Sequence, residues 1–191
     1  MPESELRELL EEAWRKRAEG NITGTRELLK TVEASVSATD FLHVGRVFHI
    51  YAQLESDEGR DRDAIPLLRK SLSNYVKSGH ENRIAHSTRH IADVQRRIGS
   101  NSESEVNYLK ALEIYDQLES PCDLDIGNLR RGLALLHEKM GKLNKAQESW
   151  QAARDIYEKL SLTAGVEESD ERLEAIRLKL QKRRSNRSPL Q

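Results

Sequence analysis

The stretch Gly-Leu-Ala-Leu-Leu-His-Glu-Lys-Met-Gly at residues 132–141, continuing through Ala146, Trp150, Ala153, Tyr157 and Leu160, decides the fold. The last five residues are separated by 4, 3, 4 and 3, the rhythm of one helix face. Leu129, Leu133, Leu136 and Met140 keep the same rhythm ahead of Gly141. Upstream, Ala-Asp-Val-Gln-Arg-Arg-Ile-Gly at 92–99 leads into Tyr108, Ala111, Leu112, Tyr115 and Leu118, again at helical spacing. Two amphipathic helices joined at a glycine therefore occur twice, and no alternating strand-like run accompanies them.

The punctuation extends over the chain. Gly20, Gly59, Gly99 and Gly141 each separate two amphipathic segments, at intervals of 39, 40 and 42 residues, a period that marks a repeat. Seven residues before each glycine stands alanine: Ala13, Ala52, Ala92 and Ala134. Five after come the small residues Thr25, Ala64, Ser104 and Ala146; nine after come Leu29, Leu68, Tyr108 and Trp150. Sixteen after come Val36, Tyr75, Tyr115 and Tyr157. A small residue in the middle of the first helix lets the second approach closely, the large residue fills the space beside it, and glycine makes the turn. Each unit is an αα-hairpin whose remaining apolar face must be covered by the next.

On these residues the chain resembles the tetratricopeptide repeat (TPR) family, in a longer-helix variety of about 40 residues per unit. The resemblance rests on 92–99 with Tyr108, Ala111 and Leu112, and on 132–141 with Ala146, Trp150 and Ala153. It departs from the family pattern in its longer period, in lacking the proline that closes the second helix, and in keeping an early aromatic only as Phe48. It implies an all-α solenoid of four hairpins, over about 3–38, 39–79, 80–120 and 121–162. A ninth helix over 163–184 would close the stack, with Val166, Leu173, Ile176 and Leu180 on one side, and 185–191 reads as a disordered tail. The whole is read as one superhelical domain. Pro66, just after Asp61-Arg62-Asp63, is read as lying close to a helix start.

Composition agrees and excludes several classes. Lys+Arg is 31 and Asp+Glu is 32, a net charge of −1, which removes the argument for whole-protein attraction to nucleic acid or an anionic membrane. Leu, Ile, Val and Phe sum to 45 of 191 residues, enough to fold, while 33 % charged residues imply much surface. One cysteine, Cys122, precludes an internal disulfide and suits a reducing compartment. The acidic start Met1-Pro2-Glu3-Ser4-Glu5 is unlike a signal peptide, so a cytoplasmic location is expected. The end from Lys179 carries Lys182, Arg183, Arg184 and Arg187 and no acid, which reads as a frayed helix end.

No catalytic set is complete, so the chain reads as a non-enzyme without cofactor. Gly20-Asn21-Ile22-Thr23-Gly24 lacks the spacing and lysine of a phosphate loop, and neither His80-Glu81 nor His137-Glu138 completes HExxH. His86 and His90 with Asp93 have a spacing that suits a divalent cation, but such spacing recurs by accident in charged helices and is read as groove lining, with no metal. Ser102 with Glu105 reads as a capping box opening the second helix of its unit.

The repeat register singles out a different set. Thirteen residues before the glycines stand Arg7, Arg46, His86 and Asn128; ten before stand Leu10, His49, Arg89 and Arg131. Six before stand Trp14, Gln53, Asp93 and Leu135; three before stand Arg17, Ser56, Arg96 and Glu138. The family resemblance implies that first helices line a concave groove holding extended peptides. Arg46, His49, Gln53, His86, Arg89, Asp93, Arg96, Asn128 and Arg131 then form a donor-rich strip suited to carboxylates. The expected function is protein interaction, with an extended acidic peptide as ligand. The competing reading is a regulatory or assembly module that self-associates through its convex face or ends.

Overall fold

The computed structural model describes residues 1–185, and the last part of the expected tail, 186–191, lies outside them. Among the described residues there are nine helices and no strand. They are α1 (Glu3–Ala18), α2 (Ile22–Ser35), α3 (Phe41–Asp57), α4 (Asp61–Ser78), α5 (Glu81–Ile98), α6 (Asn101–Asp116), α7 (Asp123–Lys139), α8 (Leu143–Lys159) and α9 (Thr163–Ser185). The chain divides into two compact units, Met1–Ser100 with α1 to α5 and Asn101–Gln191 with α6 to α9.

The small and large positions pack as the pattern requires. Ala13, Ala52, Ala92 and Ala134 have no exposed surface, nor do Leu29, Leu68, Tyr108 and Trp150, nor Thr25, Ala64, Ser104 and Ala146. Gly20, Gly59, Gly99 and Gly141 all take left-handed backbone, with φ between 72° and 88°. That conformation ends one helix and releases the next with little strain only when Cβ is absent. Gly79, outside the repeat register, closes α4 in the same way.

Each unit has its own apolar interior. In the first, Leu6, Leu10 and Ala13 of α1 meet Leu29 and Val32 of α2 and Val47, Ile50 and Leu54 of α3, while Ala64 and Leu68 of α4 meet Ile91 and Val94 of α5. In the second, Trp150, Ala153 and Tyr157 of α8 pack on Ala134 of α7 and on Ile176 of α9. Trp150 is fully buried, and its indole N–H donates to Glu138 Oε1 at 2.8 Å, so its one polar atom is satisfied. Val166, Leu173 and Leu180 complete the α9 face, as the sequence indicated.

Two local expectations are corrected. Pro66 is the sixth residue of α4, beyond the first turn, so its missing N–H leaves the Arg62 carbonyl without its helical partner. Ser102 is the second residue of α6 and opens no capping box. Glu105 instead accepts from Lys142 Nζ at 2.6 Å and lies 3.1 Å from His137 Nε2, because an ammonium one hairpin on attracts it more than a backbone N–H does.

Candidate functional site

In the first unit the odd-numbered helices present the register positions on one side. His49 of α3 meets His86 and His90 of α5, with ring centroids 4.6 to 5.0 Å apart. Trp14 of α1 lies 6.3 Å from His49, and the Arg17 guanidinium stacks over the indole at 4.6 Å. Helical spacing explains the convergence: His86 and His90 are four apart and share a face of α5, and α3 brings His49 against it.

Arg89 is 7 % exposed and reaches Asp93 Oδ2 at 2.9 Å and His90 Nε2 at 2.8 Å. A guanidinium only donates, so Nε2 of His90 accepts from Arg89. The Gln53 amide nitrogen lies 3.1 Å from Nδ1 of the same ring. His49 is buried with both ring nitrogens lacking a hydrogen-bond partner among the described residues. A buried polar group left so costs about 1–3 kcal/mol. Burial, reinforced by His86 and then by the guanidinium charges of Arg89, Arg83 and Arg17, holds the His49 imidazole well below its ordinary range and therefore neutral. Burial and then Arg89 do the same to His90.

Beside the histidines is a cavity of about 220 Å³ lined by Trp14, Arg46, His49, Tyr75, Arg83 and His86. Burial lowers the Arg46 pKa, and the positive charge of Arg83 lowers it further. Among the described residues neither Arg46 nor Arg83 forms an ion pair. Two like charges sharing a cavity without a carboxylate attract an anion.

In the second unit the register residues are engaged. Arg131 of α7 makes a two-point pair with Glu168 of α9, at 2.6 and 2.8 Å, and Asn128 Oδ1 accepts from the Tyr157 hydroxyl at 2.9 Å. Both line a cavity of about 510 Å³ against the start of α9. Of the expected strip, then, Arg46, His49, Gln53, His86, Arg89 and Asp93 come together in the first unit, with Arg96 half-buried in the last turn of α5. Asn128 and Arg131 come together in the second. Arg89, Arg131 and Asn128 spend donor or acceptor capacity within the protein.

Sequence reasoning passed over Arg83. It stands sixteen residues before Gly99, on the same α5 face as His86 and His90, so the register that found the others would have found it at one more offset. Cys122 is exposed at the residue before α7.

No protein-family model matches the chain. Among curated proteins it is 28 % identical over 129 residues to Protein KINESIN LIGHT CHAIN-RELATED 2 of Arabidopsis thaliana; the match covers 65 % of this chain and 20 % of that protein. The chain thus spans about a fifth of that relative's length. Solved structures with the same fold include TPR-like repeats of a kinesin light chain from Podosopora anserina. The identity is 18 %, with 93 % of this chain and 97 % of that one covered and a TM-score of 0.62. BtubC (BKLC) from P. vanneervenii superposes with a TM-score of 0.65 at 15 % identity, over 98 % of this chain and 91 % of that one. The class is therefore a TPR-like α-solenoid of four hairpins with a ninth helix.

Proposed function

We propose that the chain is a non-catalytic protein-interaction module that holds an extended acidic segment of a protein partner against the α1–α3–α5 side, from a cytoplasmic location. The observation that carries this reading is the pairing of Arg46 with Arg83 across one cavity, without a carboxylate, beside Trp14 and Tyr75. Guanidinium forks bind carboxylates through two parallel hydrogen bonds, and the aromatic walls take an apolar neighbour in the ligand. Asn128 and Arg131 hold the matching register positions in the second unit. The likeness to kinesin light chain proteins supports a protein partner, and no described helix is long and apolar enough to cross a membrane.

The test uses fluorescence anisotropy with labelled acidic, neutral and basic peptides of equal length. Acidic peptides should bind and weaken with salt. Arg46→Glu with Arg83→Glu should lower their affinity at least about tenfold at unchanged helicity, since each lost charged hydrogen bond is worth about 1.5–3 kcal/mol. Equal affinity in that variant removes the reading.

A second reading, self-association, is favoured by α6, where Val106 and Leu109 are 65 % and 50 % exposed one turn apart. Sedimentation of Val106→Glu against wild type decides it: a concentration-independent monomer in both discards self-association.

A further inference from the structure

We propose that His49, His86 and His90 form a three-histidine site for a divalent transition-metal cation of the zinc class, with its fourth position open to the adjoining cavity. One ring nitrogen from each residue lies within 4.8 Å of the others. A cation bonded at about 2.0–2.1 Å to each would bring the nitrogens to about 3.3 Å apart, so the rings draw in by at most about 1.5 Å. Side-chain rotation alone supplies a movement of that size.

Two further observations favour the site. Both nitrogens of His49 are buried without a partner among the described residues, which is the state expected of a ligand awaiting its ion. His90 has a partner outside the cluster: the Gln53 amide nitrogen lies 3.1 Å from Nδ1 and orients the ring. The cation takes Nε2 in place of the Arg89 N–H, and Arg89 keeps Asp93.

The charge balance is also tolerable. Of the guanidiniums near the cluster, Arg17 is neutralised at two points by Asp57 and Arg89 by Asp93, which leaves Arg83, with Arg46 beside it on the cavity. An anion in the cavity, a chloride or hydroxide as the fourth ligand, sits between the cation and that guanidinium and offsets both. The site draws on α3 for the third ligand and leaves Asp93 out, which the sequence spacing of His86, His90 and Asp93 does not reveal. It stands apart from the peptide reading, since zinc uptake needs no peptide.

The experiment is equilibrium dialysis of the tag-free chain against zinc chloride, with visible absorption of the cobalt(II) form as the second readout. The expected result is one equivalent of zinc per chain at micromolar free zinc, and the intense d–d bands of tetrahedral cobalt. His86→Gln, at a half-buried position, and His49→Gln should each weaken uptake at least about tenfold. His80→Gln, outside the cluster, should bind as wild type does. Circular dichroism confirms that each variant is folded, and His86→Gln alone decides the matter if His49→Gln is not. Uptake below a tenth of an equivalent in the wild type overturns the site, as does undiminished uptake in His86→Gln.

Discussion

Arg131 of α7 and Glu168 of α9 lock fork to fork, Nε to Oε2 at 2.6 Å and the terminal nitrogen to Oε1 at 2.8 Å. The closing helix thereby supplies a carboxylate to the register position where an incoming peptide would offer its own. The pair is 41 % and 30 % exposed, so its contribution to stability is under about 1 kcal/mol. Glu168→Ala should lower the melting temperature by no more than a few degrees. Thermal melting followed by circular dichroism measures it, and a larger drop would contradict so small a contribution.

Stability should fall in two separate pH windows. His49 and His90 have native pKa values depressed by burial, against about 6.5 unfolded. The unfolded chain therefore binds protons first as pH drops, and stability is lost below about 6.5 by up to about 1.4 kcal/mol per pH unit per group. Glu55, Glu105 and Asp61, held low by Arg60, Lys142 and Arg97, lose their contribution only below about 4.5. Urea midpoints in chelator-containing buffer should be flat from pH 8 to 6.5 and then decline towards pH 5. A flat profile down to pH 5 would mean that the imidazoles are accessible to protons in the native state.

Gly132 lies where α7 passes Tyr108. A Cβ there would stand 2.5 Å from the Tyr108 hydroxyl oxygen and 2.8 Å from two ring carbons. Gly132→Ala gains about 1 kcal/mol of helix propensity. Displacing a fully buried ring costs about 1–3 kcal/mol. The expected sum is a lower urea midpoint, with Tyr108→Phe restoring part of it by removing the nearest atom.

Ile176 is fully buried in the Trp150 cluster, with Val166, Leu173 and Leu180 of α9 beside it. Ile176→Ala should destabilise by about 2–5 kcal/mol, as core truncations do. Removal of α9 should expose Trp150 and Tyr157, giving poor solubility and dye-accessible apolar surface. Wild-type melting after that removal would deny α9 its covering role.

Much of this was legible in the residues because a helical repeat is local. Gly59 terminates α3 through its own backbone, and Ala52, Ala64 and Leu68 pack in one cluster on either side of it, so period and helix phase carry the information. Pro66 and Ser102 were misplaced because both marks are common at helix starts and their exact turn depends on neighbouring helices. The binding face was legible only as a set of candidates. Register put Arg46, His49, His86 and Arg89 on one side, but not that Arg89 turns to Asp93 while Arg46 stays with Arg83.

The amino-acid order by itself determined the nine helices of the described residues and the small–large packing of α1 on α2, α3 on α4 and α7 on α8, since these depend on spacing of 3.6 residues and on one nearest neighbour. Tertiary structure alone decided which charges remain available. Arg131 is matched by an acid 37 positions away, His49 meets two imidazoles from another hairpin, and Arg83 joins Arg46. Long polar side chains have several partners within reach, and only the distances between packed helices select among them.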